Sequence, residues 1–418
     1  MNKRTAIAMA IGLVLSPIAH AAEGQFDWLS FSGFGTIGAS ETDDKAVSFR
    51  MPYQKNGKAN DWATDVDSRI AAQFDVNRGG TFSGVLQVMA TQRYQGEFRA
   101  EVEWANVMWT INENWRVRAG RMVTPVFLAS DYKNVGYSII PVRYSLEMSG
   151  NYPLSRHDGA EVLYNTEVWN GRLQVQGYAG KTKYDFINAL GKNSLDVGGI
   201  YGVSGTYSTG PWTVRLAGSA VRDMKTVGDA VPTFNLASKV LHAIPPAACS
   251  NCAEEAQKLD TSVAGMSADF LTIGGIYDDD TWYGQLEFGH RKIDGFFPSV
   301  DSYLALGAYR WKRFTPFLSY AVFKTKSNDE AALPALPGIP GIVAAQYNGL
   351  LKANNSSRSM TSVGVRWDFY TNVALKLQAD LVKHDRPSYG WSGAFTNLSP
   401  TTYDGKVNVY TATIDFIF

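Results

Sequence analysis

Every second connection along this chain is very short, and the ones between are long. The short ones are Asn77-Arg78-Gly79-Gly80, Asn112-Glu113-Asn114, Val168-Trp169-Asn170, Thr209-Gly210-Pro211, Asp278-Asp279-Asp280, Lys312-Arg313-Phe314 and Thr371-Asn372. Most are rich in Asn, Asp and Gly, which tolerate the left-handed backbone that tight hairpins require. The long ones cover 40–65, 93–99, 123–158, 182–196, 223–264, 292–301, 326–359 and 385–406. Between them lie sixteen segments of about ten residues, running from 29–39 and 66–76 to 373–384 and 407–418. A soluble sandwich has no reason to gather its long loops at one end. A barrel that crosses a membrane does, with turns on one side and loops on the other. An even strand count returns both ends of the chain to the turn side.

Side-chain alternation agrees. In the last segment Tyr410, Ala412, Ile414, Phe416 and Phe418 share one face, while Thr411, Thr413 and Asp415 share the other. Segment 373–384 sets Val373, Leu375, Leu377, Ala379 and Leu381 against Lys376, Gln378 and Asp380. Charged rows of this kind fit a wet lumen, with the apolar rows facing lipid. Trp28, Trp109, Trp115, Trp169, Trp212, Trp282, Trp311 and Trp367 all fall near the short turns. Eight of the 11 tryptophans thus crowd one rim, the banding expected of amphipathic rings at the headgroup level. The expected fold is all-β, a sixteen-stranded antiparallel transmembrane barrel with short periplasmic turns and long extracellular loops.

Residues 1–21 read as a cleavable signal peptide, with Lys3 and Arg4, a short apolar stretch, and Ala19-His20-Ala21 before the cut. The barrel domain is then 22–418. Losing Lys3 and Arg4 leaves 37 basic against 39 acidic side chains, a net charge of −2, which argues against nucleic acid as a partner. The two cysteines, Cys249 and Cys252, are too few for a disulfide framework and are expected to close one small ring in a long surface loop. The five histidines are scattered, and no nucleophile elbow, zinc motif or phosphate loop occurs. The adjacent pair His157-Asp158 reads as a loop-to-strand junction. Neither enzyme activity nor a cofactor is expected.

The segments LSFSGFGTIGA at 29–39, DSRIAAQFDV at 67–76, EWANVMW at 103–109, VRAGR at 117–121 and the aromatic last strand resemble Gram-negative outer-membrane porins. Residues 127–138 resemble a stretch in porin-like proteins of environmental proteobacteria, while the Pro-Glu-Phe-Gly-Gly constriction signature of enterobacterial porins is absent. The resemblance implies that Phe418 belongs to the signal read by the barrel-assembly machinery. It also implies a homotrimer set among outer-membrane lipid and lipopolysaccharide, and a third loop, 123–158, folded into the lumen.

That loop carries Asp131, Lys133, Arg143, Glu147, Arg156 and Asp158, and the strand beside it adds Arg116, Arg118 and Arg121. Opposed charges across a narrow wet passage orient and filter polar solutes. Arg116 and Arg118 are expected to face the lumen, since Val117 and Ala119 suit the other side. Phe127, Tyr132, Tyr137, Tyr144 and Tyr152 either stack against sugars or aromatic acids or pin the loop to the wall. The expected function is passive diffusion of small hydrophilic solutes, with a mild anion preference. Its rivals are a channel specific for an organic anion or saccharide, and a non-conducting structural or adhesion barrel.

Overall fold

A computed structural model describes residues 28–418, except 56, 151, 189, 327–332, 387–393 and 400–401. The signal peptide read at 1–21 lies outside the described residues. Sixteen strands close into one antiparallel barrel. The first half of the wall is β1 (Leu29–Thr42), β3 (Arg69–Val76), β4 (Phe82–Gln92), β5 (Phe98–Thr110), β6 (Trp115–Val123), β7 (Arg156–Val168), β8 (Gly171–Asn188) and β9 (Gly191–Thr209). The second half is β10 (Trp212–Gly228), β11 (Met266–Asp278), β12 (Trp282–Ile293), β13 (Val300–Tyr309), β14 (Phe314–Thr325), β15 (Arg358–Tyr370), β16 (Val373–His384) and β18 (Lys406–Ile417). Two short strands outside the wall, β2 (Val47–Phe49) and β17 (Phe395–Asn397), pair with each other.

The short turns use left-handed backbone as their composition requires: Asn77, Asn170, Gly210, Asp280 and Asn372 all have positive φ. Along the walls the outward residues are apolar and the inward ones polar. Leu377 and Leu381 are each 49% exposed, whereas Lys376 and Asp380 between and beside them are buried. All eight tryptophans of the turn rim point outward and are exposed.

The seam is closed by β1 on β18, with Gly33 and Phe418 exchanging backbone hydrogen bonds of 2.8 and 3.0 Å. The Phe418 ring lies over Gly33 so closely that a Cβ there would sit 2.3 Å from Cζ. Phe416 covers Gly35 in the same way. Glycine lets two aromatic rings lie flat where the sheet closes on itself, and closure removes both edges. Gly33→Val is therefore expected to lower the yield of folded barrel markedly, read as the heat-modifiable band on unheated gels. An unchanged yield would show that the seam tolerates the displaced ring.

At the loop end the fold departs from the sequence reading. The stretch 182–196 is no loop, because β8 and β9 run through most of it as one long hairpin. Connections 223–264 and 326–359 contain helices: α2 (Ala230–His242), α3 (Cys252–Ala264) and α4 (Gly338–Asn354), with a single turn, α1 (Leu146–Ser149), in the inward loop. Phe234, Leu241, Leu259, Phe296 and Tyr347 bury against one another and make these helices a cap with its own core. Cys249 and Cys252 are joined in a disulfide inside this core, 4% and 1% exposed, rather than in an open surface loop. Tyr347 donates a hydrogen bond to Glu255, and burial together with that carboxylate pushes its hydroxyl well above the ordinary phenol range. Across the mouth, β2 and β17 form a second cover over Val66, Val382, Val407 and Val409.

Candidate pore constriction

The chain leaves the wall where β6 ends at Val123 and returns at Arg156. Pro125 and Pro153 stand just inside these exits, where a residue without an N–H cannot continue the ladder. The Thr124 amide donates to the Ser155 carbonyl at 3.0 Å and ties the neck. The described residues between them pack against the inner face of the wall.

Two sets of contacts stretch this loop from wall to wall. On the side of the seam, Arg143 donates to Asp67 at 2.9 Å, to Asp380 at 3.0 Å and to Thr411 at 2.8 Å. Lys376 Nζ reaches the carbonyls of Gly136, Ile139 and Pro141 at 2.6, 2.7 and 2.9 Å, and pairs with Asp415 at 3.1 Å. Gly136 passes so near the wall that a Cβ would stand 2.0 Å from Asp415 Oδ1, so only glycine fits. On the opposite side the contacts are apolar. Val126, Phe127, Tyr144, Met148 and Tyr152 pack on Ile200, Val221, Met224 and Phe270. Glu287 joins both kinds of contact, accepting from the Leu128 amide at 2.9 Å and the Tyr144 hydroxyl at 2.6 Å. The aromatics of this loop, apart from those bordering cavities, thus hold it to the wall.

Water-accessible space remains on both sides of the loop. A cavity of about 510 Å³ opens at the turn end, bordered by Tyr132, Ile140, Tyr283, Arg310 and Arg366. Another of about 280 Å³ opens at the loop end, bordered by Tyr53, Arg69, Arg93, Glu103, Lys133 and Arg156. Arg143 and Tyr144 border both.

The residues singled out in the sequence separate into groups. Lys133, Arg143 and Arg156 border the loop-end cavity, and Asp131 borders a small space beside it together with Lys133. Arg156 is held by Glu101 and Glu103, both at 2.9 Å, and Asp131 by Arg215 at 3.4 Å. Arg118 donates Nε to Glu161 at 2.8 Å on the inner face, and Arg116, half-buried, lies on that same face. Two expectations are corrected. Arg121 falls in the outward row of β6 with Trp115 and Ala119, and pairs with the half-exposed Asp158 at 2.7 Å. Glu147 is fully buried, bound to Arg358 at 3.0 Å, where it fastens α1 to β15 and meets no open water. His157 and Asp158 point to opposite faces of β7, the first buried and the second exposed.

Sequence reasoning missed Asp67, Glu287 and Arg358 as partners of the loop. Each lies on a wall strand or at its end, far along the chain from the residue it meets. The only signal was its place in an inward polar row.

No protein-family model matches the chain, and no curated protein matches its sequence. Solved structures do match. OmpF of Salmonella typhi, in a complex with daunomycin, aligns over 93% of this chain and 97% of its own, at 14% identity and a TM-score of 0.54. The anion-selective porin of Comamonas acidovorans aligns over 93% and 99%, at 15% identity and a TM-score of 0.53. The fold is that of the outer-membrane porins. The outer-membrane channel DcaP of Acinetobacter baumannii aligns over 95% and 100%, at 10% identity and a TM-score of 0.51. The chain thus shares with them a closed, sixteen-stranded antiparallel β-barrel.

Proposed function

We propose that the chain is a passive diffusion channel for small hydrophilic solutes, with the loop between β6 and β7 as its constriction and a mild preference for anions. One observation carries the reading. A loop stretched from wall to wall inside a closed barrel leaves water-accessible space on both of its sides, bordered by the same Arg143 and Tyr144. A structural barrel has no need of such a loop, since its wall is already complete. Export through the signal peptide and assembly through Phe418 belong to the same reading. So do a surround of lipopolysaccharide and a homotrimer, the form recorded for OmpT of Vibrio cholerae.

Liposome swelling tests it. Vesicles holding the purified protein are expected to swell quickly in glycerol or a pentose and progressively more slowly in larger saccharides. No swelling in any solute, with the barrel shown to be folded, would contradict the proposal and favour the non-conducting barrel.

A further inference from the structure

The loop-end cavity is bordered by a cation that, among the described residues, leaves two of its donors without a hydrogen bond. Arg69 at the start of β3 is about nine-tenths buried and borders this space. Among the described residues, its Nε and Nη2 have no hydrogen-bond partner. The neighbouring Asp67 does not serve it, because its oxygens take Arg143 at 2.9 Å and Ser40 at 2.8 Å. Lys133, across the cavity on the loop, likewise has no ion pair among the described residues.

The other charges are matched. Arg93 meets Glu101 and Glu103 at 3.2 and 3.0 Å, and Arg156 meets both at 2.9 Å. Arg143 is held by Asp67 and Asp380 at 2.8 and 3.0 Å, and Lys183 lies 4.0 Å from Asp185. Together with Arg69 and Lys133, six cations here face five carboxylates, an excess of one positive charge. Beside the polar Asn134, Ser149, Ser155 and Thr182, much of the remaining lining is apolar or aromatic, including Met51, Tyr53, Met89, Leu146, Leu154 and Tyr184.

A desolvated guanidinium gains most from an oxygen anion that accepts its fork of donors. The apolar lining adds a gain that chloride cannot collect, because only a ligand with an apolar body covers it. We propose that this cavity is a binding site for a small organic monoanion, a carboxylate on an aromatic or branched apolar body. Arg69 receives the carboxylate and Lys133 adds the second charge. The proposal deepens the channel reading by naming a solute class for the same passage.

Benzoate is the probe, titrated calorimetrically into the purified barrel in detergent. Saturable binding is expected, weakened about tenfold or more in Arg69→Gln and in Lys133→Gln, as for loss of a charge-assisted hydrogen bond. Acetate, which has the charge without the body, and benzyl alcohol, which has the body without the charge, should each bind about tenfold more weakly than benzoate. Absence of saturable heat, equal affinity for acetate, or unchanged affinity in both folded variants would overturn the assignment. Calorimetry does not depend on conduction. Binding without bilayer current would sink the channel reading and leave the site, and current without binding would do the reverse.

Discussion

Removing residues 127–140 from the inward loop is expected to raise single-channel conductance several-fold while the barrel still folds. The deleted stretch includes two of the three carbonyls that hold Lys376, and Phe127 from the aromatic group that packs against β10 and β11. With it go the borders of both cavities at Tyr132, Lys133 and Ile139. The wall does not depend on it, because β6 already pairs with β7 from Trp115 to Val123. A folded variant with unaltered conductance would mean that ions pass by a route the loop does not narrow.

Replacing Arg143 by alanine should have the largest effect of any single substitution on how the loop is held. Its side chain is only 5% exposed, and those of Asp67 and Asp380 are 0% and 1% exposed. Removing one member of such a cluster leaves buried carboxylates unpaired, which costs about 3–5 kcal/mol. Arg143→Lys should rescue it only in part, since one ammonium cannot repeat a planar fork that reaches Asp67, Asp380 and Thr411 together. The expected phenotype is a barrel that keeps its heat-modifiable band but shows flickering currents, and a loop that proteases cut. Quiet currents and a resistant loop would show that Lys376 and the apolar side hold it alone.

The barrel wall was legible in the sequence because its signals are local. Alternation in segments such as 373–384, and Asn, Asp or Gly in the turns between, depend only on neighbours. The tryptophan rim was legible for the same reason. The signal failed above the membrane, where outward residues need not be apolar. Lys181, Lys183 and Asp185 hide the strand period of the β8–β9 hairpin, which nonetheless pairs to its tip. The segment with Pro337 and Pro340 looked like an irregular apolar loop. Pro337 instead caps α4 and Pro340 sits in its first turn, where a missing N–H costs nothing. At the constriction the sequence showed which loop carried charge, but not which charges were already spent. Glu147 and Arg121 are as charged as Lys133. Arg358 on β15 satisfies the first and Asp158 on the neighbouring β7 the second, and Lys133 is left facing the cavity.

Single-channel recording of the purified protein in planar bilayers tests the central claim most directly. Discrete, long-lived openings in potassium chloride are expected, with a reversal potential in a salt gradient displaced modestly toward the anion. Folded protein that inserts without any openings, across the full range of voltage, would contradict the reading of this barrel as a channel.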